Sequence, residues 1–260
     1  MHTVFSDGKN TAEEMVLAAM EKGLKEIGIS DHACTPKQIH CIKKNGEKAY
    51  VRELNRLKEK YADKITVLIG IEADYYSEFD PSLYDYIIGS VHFLDFPARA
   101  YSVDSSAGRA RQCIREMFGG DKDAYAAEYF SRVAELPERL GANVIGHFDL
   151  LTKFQDRGIV FPYEGVYARA AEAAIKKLAE KAVFEINTGA ISRGYRTSPY
   201  PCKEILDKIR AEGGRVLLSS DSHSAENIAG SFDLAEAAMK NAGFTRAGFT
   251  DRHGKEHIQI

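Results

Sequence analysis

Apolar and polar positions along the chain follow two rhythms. In "TAEEMVLAAMEKG" (11–23) apolar residues recur at helical intervals, Thr11 and Glu14 have capping-box spacing, and Gly23 supplies a stop. "KEIGIS" (25–30) reads as a short strand ending at Asp31 and His32. Residues 48–62 carry charges at helical spacing, with Tyr50, Leu54, Leu57 and Tyr61 on one face. "ITVLIGIE" (65–72) is a continuous apolar run, the pattern of a parallel strand covered on both faces, and "YDYIIGSVH" (84–92) is another. Residues 123–140 read as helical, then "ANVIGHFD" (142–149) as a strand. An Ala-rich helix over 164–181 precedes the strand "AVFEIN" (182–187). "PCKEILDKIRAEGG" (201–214) is a helix with a glycine stop, followed by the strand "RVLLSSDSH" (215–223). A last helix is predicted near 233–242, before a weakly patterned tail.

This order is βαβα repeated about six times, which predicts a parallel sheet. At that repeat number a closed barrel of the (β/α)8 kind is expected over an open sheet. Residues 95–122 show little apolar periodicity and are expected to be a long loop near function. No internal repeat or linker interrupts the 260 residues, so one domain over 1–260 is expected.

Composition narrows the partners. At 44% hydrophobic and 28% charged the chain is ordinary globular protein, and its net charge of -3 offers no basic field for nucleic acid or anionic membrane. No apolar run suggests a membrane span or a signal peptide. The four cysteines form no C-x-x-C pair and no disulfide framework, which points to reduced thiols in the cytoplasm. The sequence carries no signal of oligomeric state.

The chemistry sits at strand ends. His32, His92 and His147 end predicted strands, His223 lies just past one, and His2 precedes the first helix in a matching place. Glu72 and Asp221 end two more strands. Strand C-termini share one face of a parallel barrel, so these side chains should converge on one rim. Buried imidazoles and carboxylates without partners are costly, and metal cations remove that cost. Mixed nitrogen and oxygen donors suit Zn²⁺, Mn²⁺ or Fe²⁺, and the number of ligands implies two or three ions. Clustered metals are a recurring solution for phosphoester hydrolysis. His40, His253 and His257, in polar or charged segments, are read as structural or solvated.

At these residues the chain resembles the PHP (polymerase and histidinol phosphatase) superfamily and, within it, the monofunctional histidinol-phosphatases. The resemblance is carried by "HTVFSDG" (2–8), "ISDHACTP" (29–36), "GIEADY" (70–75), "IIGSVHFLD" (87–95), "VIGHFDLL" (144–151), "FEINTGAISRGY" (184–195) and "LLSSDSH" (217–223). It implies a distorted (β/α)7 TIM-like barrel with a trinuclear metal site. The implied ligands are His2, Asp7, His32, Glu72, His92, His147, Asp221 and His223, with Glu72 bridging two ions. The family begins with a strand ending in H-x-H. Here the second histidine is His2, Met1 is the middle residue, and the first histidine and its strand are absent. The expectation is a natural start several residues upstream; a true start at Met1 would leave a gap in the barrel and one ion short of a ligand.

The implied reaction is hydrolysis of L-histidinol phosphate to L-histidinol and phosphate, a step of histidine biosynthesis. Arg193 is the first candidate for the phosphate and Arg196 the second, because a guanidinium binds phosphate in a bidentate way. Asp221 or a metal-bound water is the candidate proton donor to the leaving alkoxide, and Asp95 or Asp104 could meet the amine or imidazole of the substrate. Two alternatives stand beside this reading: a PHP phosphoesterase for nucleotides, sugar phosphates or DNA ends, and a non-catalytic metal-binding protein.

Overall fold

The computed structural model describes residues 1–35, 40–43, 46–96 and 99–259. The apolar runs become strands β1 (Glu26–Ile29), β2 (Thr66–Asp74), β3 (Tyr86–Ser90), β6 (Val144–Ile145), β7 (Val183–Asn187) and β8 (Arg215–Ser219). They form one parallel sheet in the order β1-β2-β3-β6-β7-β8. Helices α1 (Ala12–Glu21), α2 (Glu47–Lys60), α4 (Lys122–Val133), α5 (Leu136–Leu140), α6 (Gly165–Leu178), α8 (Lys203–Ala211) and α9 (Phe232–Asn241) make up the connections. Helix α1 starts at the expected capping box, with Thr11 and Glu14 bonded reciprocally.

The sheet is a curled TIM-like barrel of six strands and is not closed by pairing β1 to β8 among the described residues. The expected gap is partly filled from both chain ends. The Ser30 N–H donates to Met1 O and the His2 N–H to Ser222 O, each at 2.8 Å, so the first residues bridge the two edges near their C-terminal ends. Lower down, the Gln259 side chain pairs with the Leu218 backbone as a strand would. It accepts from Leu218 N–H at 2.7 Å and donates to Leu218 O at 2.9 Å.

Two expectations are corrected here. Residues 95–122 are not a featureless loop. A hairpin of β4 (Phe93–Phe96) and β5 (Arg99–Ser102) leads into helix α3 (Ala107–Phe118), capped by Ser106 and ended by Gly119 in the left-handed region. The helix was inconspicuous because its buried stripe is only Ala110, Cys113 and Ile114. The tail is also ordered: β9 (Gly248–Thr250) and β10 (Glu256–Ile258) form an antiparallel hairpin. Of the three histidines read as structural or solvated, His257 is structural. It is buried between Glu26 and Asp251, at 2.7 and 3.0 Å. His40 and His253 are exposed as expected.

The barrel interior changes character along its axis. Phe249 of the tail hairpin joins Leu68, Tyr86, Ile88, Val144, Val183 and Leu217 in an apolar plug. Two or four residues further along the same strand faces lie Glu72, Ser90, Glu185 and Asn187, all buried. The sequence thus builds an apolar floor with a polar chamber above it.

Candidate metal centre

Each polar group in the chamber is delivered by a strand end. His32 follows β1, Glu72 lies within β2, His92 follows β3, His147 follows β6, and Asp221 and His223 follow β8. Backbone strain collects at the same places. His147 and Asp221 are two of the four non-glycine residues with positive φ among the described residues, at 21° and 43°. Gly189, in the short helix α7 (Gly189–Ser192) after β7, has no room for a side chain: a Cβ there would sit 2.7 Å from Asp221.

Glu72 is the hub. Its Oε1 lies 3.2 Å from His92 Nε2 and 3.1 Å from His147 Nε2. Its Oε2 lies 3.1 Å from His2 Nε2 and 3.7 Å from His32 Nδ1. One carboxylate therefore faces two separate pairs of imidazoles. Asp221 Oδ1 is 3.1 Å from His2 Nε2. Asp7 is the most exposed member, yet its carboxylate lies 3.7 Å from His2, 3.7 Å from His32 and 3.3 Å from His223. Among the described residues three groups could hold metal ions: His2, Asp7, His32 and His223; His32, Glu72 and His92; and His2, Glu72 and Asp221. His147 belongs to none of these sets, although it touches Glu72.

The donor set fits divalent cations. Ligand bonds of 2.0–2.2 Å put neighbouring donors around an ion roughly 3.4 Å apart, and the contacts above span 3.1–3.7 Å. The Nδ1 atoms of His2, His92 and His147 are buried without a hydrogen bond, and that of His2 faces Asp7 at 3.7 Å.

The electrostatics follow from crowding. Burial opposes the charge on Glu72, but His32, His147, His2 and His92 outweigh it and hold the carboxyl well below its usual range. Burial likewise opposes charge on His2, yet Asp221 and Glu72 push it up to about 10. His92 rises to about 9 by the same balance, with Glu72 prevailing over burial. His32 goes the other way, down to about 3, through burial and the nearby His2. Asp74 is pushed up to about 6 by burial, and its carboxylate accepts the His92 backbone N–H at 2.7 Å.

A cleft of about 280 Å³ opens on the cluster. Arg193 lines it and donates to Asp221 Oδ2 at 2.9 Å and to Asp221 O at 3.1 Å, with His223 Nδ1 at 2.9 Å. Asp104 also lines it, paired at 2.9 Å with Lys153, which sits over the Tyr195 ring. Burial opposes the Asp104 charge, but Lys153 prevails and the carboxyl is held at about 2. Lys153 was missed by sequence reasoning, as were the cleft walls Tyr195, Tyr200 and Phe93.

The cleft does not gather every predicted residue. Arg196 is buried behind its wall, stacked on Tyr200 at 4.3 Å and bonded to Thr152 and Ser198. Its guanidinium is occupied in holding the loop. Asp95 lies half-buried in β4, with its N–H bonded to Tyr76, and is not among the residues lining the cleft.

A parallel α/β barrel with clustered histidines and carboxylates at its strand C-termini defines a protein built to bind divalent metal. More narrowly, the chain belongs to the PHP domain family, whose profile matches residues 1–189. A Schizosaccharomyces pombe protein named probable histidinol-phosphatase is 28% identical over 255 residues, covering 90% of this chain and 81% of its own. The histidinol-phosphatase of Bacillus subtilis is 24% identical, covering 88% of this chain and 93% of its own. The fold is shared with histidinol phosphate phosphatase of Lactococcus lactis, solved with zinc, L-histidinol and phosphate. The TM-score is 0.73 at 22% identity, over 99% of this chain and 97% of that one. No helix among the described residues is long and apolar enough to cross a membrane.

Proposed function

We propose that this chain is a metal-dependent phosphomonoesterase that converts L-histidinol phosphate to L-histidinol and phosphate. The observation that carries the reading is Glu72, whose two oxygens face different imidazole pairs beneath a cleft containing Arg193, Lys153 and Asp104. Relatives named histidinol-phosphatase support the choice of substrate.

In this reading His2, Asp7, His32, Glu72, His92, His147, Asp221 and His223 hold two or three zinc, manganese or iron ions. Divalent cations supply Lewis acidity that neutralises phosphoryl oxygens and makes water nucleophilic at neutral pH. Phosphomonoesters hydrolyse extremely slowly unaided, so concentrated positive charge is what the reaction needs. Arg193 adds a planar pair of donors to the phosphoryl group while keeping Asp221 oriented. Asp221 stays anionic between Arg193 and His2, since these partners outweigh burial, and this argues against it as the proton donor to the leaving alkoxide. Asp104 offers a half-buried carboxylate to the substrate amine, and Tyr195, Tyr200 and Phe93 offer aromatic faces to its imidazole. Residues 190–260 complete the same domain, because they supply Arg193, Asp221, His223 and the Phe249 plug. The thiols suit a reducing compartment, the cytoplasm.

The test is phosphate release from L-histidinol phosphate beside nucleotides, sugar phosphates and DNA ends, using protein whose metals are counted by elemental analysis. Strong preference for histidinol phosphate with two or three ions per chain is expected. Preference for another ester would replace the substrate, and bound metal without any turnover would favour a binding protein.

A further inference from the structure

Cys34 and Cys41 bracket the connection that leaves His32, and their sulfurs lie 2.9 Å apart. Both are thiols. Two backbone bonds fix the ends of this connection. The Ala33 N–H donates to Glu72 O at 2.8 Å, and the Ile42 N–H donates to His32 O at 2.9 Å. Each cysteine therefore sits one residue from an anchor on the metal-site strands, and the pair is held together by the fold. An S–S bond is about 2.05 Å long, so closure needs the sulfurs to approach by only about 0.9 Å. Cys34 is half-buried and lines a cavity of about 240 Å³ with Thr35, Ile42 and Glu47, which gives a small oxidant a route to it. Neither cysteine falls in any of the three groups that could hold a metal. Cys113 is buried on α3 and Cys202 lies at the start of α8, so neither competes for this partner.

We propose that Cys34 and Cys41 form a reversible disulfide, a redox modification site that clasps the segment next to His32. The oxidant is a peroxide. The Cys34 sulfur attacks the peroxide O–O bond, giving the sulfenic acid and water; the Cys41 sulfur then displaces that hydroxyl, giving the disulfide and a second water. Two thiols are oxidised and one peroxide is reduced. A dithiol reverses the step by exchange. The bond closes a short ring beside His32 and limits how far that imidazole can move from Glu72.

The experiment treats the zinc-loaded, full-length protein with hydrogen peroxide, blocks free thiols with iodoacetamide, and maps cysteines by mass spectrometry. Before alkylation the expected product is about 2 Da lighter than the reduced chain; after it, Cys34 and Cys41 remain crosslinked while Cys113 and Cys202 are alkylated. Dithiothreitol should restore both thiols. Cys34→Ser and Cys41→Ser should each abolish the crosslink, whereas a Cys113→Ser, Cys202→Ser double variant should keep it. Four alkylated thiols after peroxide, or a sulfinic acid at Cys34 without a crosslink, would overturn the proposal. Phosphatase activity measured on the same samples should change on oxidation, recover with dithiothreitol and stay constant in Cys34→Ser; unchanged activity in the crosslinked chain would remove any control function from the bond.

Discussion

The Thr3 backbone N–H and hydroxyl both donate to the Asp31 carboxylate, at 2.7 and 2.8 Å. Thr3 follows His2 and Asp31 precedes His32, so this pair sets the spacing of the two imidazoles beside it, whose rings lie 4.4 Å apart. Ser6 donates to the same carboxylate at 2.5 Å and carries Asp7 with it. Asp31 is fully buried. Asp31→Ala should leave buried donors unsatisfied and cost about 1–3 kcal/mol of stability. It should also lower the metal content of the His2, Asp7, His32 and His223 position. Elemental analysis and a thermal melt check both effects; full metal content in the variant would mean that Asp31 does not position the cluster.

Glu72→Gln keeps the shape of the hub and removes its charge. The four imidazoles around it lose the anion that faces them. A loss of several kcal/mol of metal-based stabilisation corresponds to a rate decrease of about 10³-fold or more. Metal content should fall at two positions together, because Glu72 belongs to two of the three donor groups. Unchanged circular dichroism with full metal occupancy and near-normal turnover would contradict the bridging role.

What was legible in the sequence was the set of strands and what stands at their ends. A parallel strand covered on both faces is an apolar run, so the polar residue that breaks the run marks itself, as Glu72 and His92 do. What was not legible depends on partners far apart in the chain. Lys153 looks like any loop lysine until Asp104 is placed against it. Whether His257 is solvated or structural is decided only when Glu26, at the start of β1, closes over it. Arg196 and Arg193 stand three residues apart in one loop, and only the fold turns one toward the cleft and the other behind Tyr200.

Arg193→Ala should raise KM for the phosphate ester about 10- to 100-fold, the worth of one or two charged hydrogen bonds. Metals should remain bound, since Arg193 is in none of the donor groups. Arg193→Lys should recover only part of the loss, because an ammonium cannot contact Asp221 and phosphate with one planar fork. Steady-state kinetics with metal analysis separate the outcomes; unaltered KM would remove Arg193 from the substrate site.

The tail hairpin should matter for stability more than for chemistry. Phe249 packs against Tyr86 at 5.6 Å and stacks on His257 at 5.0 Å, at the floor of the barrel. Phe249→Ala should cost about 3–5 kcal/mol through lost burial and the cavity left behind. Denaturant unfolding should show the loss while KM of the folded fraction stays constant. A variant as stable as the parent would mean that the hairpin is not part of the core.

The cluster also fixes how metal loading depends on pH. In protein stripped of metal, His2 titrates near 10 and His92 near 9, because the neighbouring carboxylates outweigh burial. Both lie above the ordinary value of about 6.5 in the unfolded chain. A raised folded pKa stabilises the stripped protein fully below about 6.5, and that contribution is lost as pH rises through 9 and 10. Metal binding runs in the opposite direction. The ions need imidazoles without protons, so loading at neutral pH should release about two protons per chain, and apparent affinity should climb until both groups have titrated. Titration calorimetry of zinc into stripped protein, in buffers of different ionisation enthalpy, counts those protons. Melting temperatures of stripped protein should fall from pH 7 to 10 while those of loaded protein fall less. Zinc binding with no proton release at neutral pH would mean that His2 and His92 are already neutral, and that the carboxylates do not govern them.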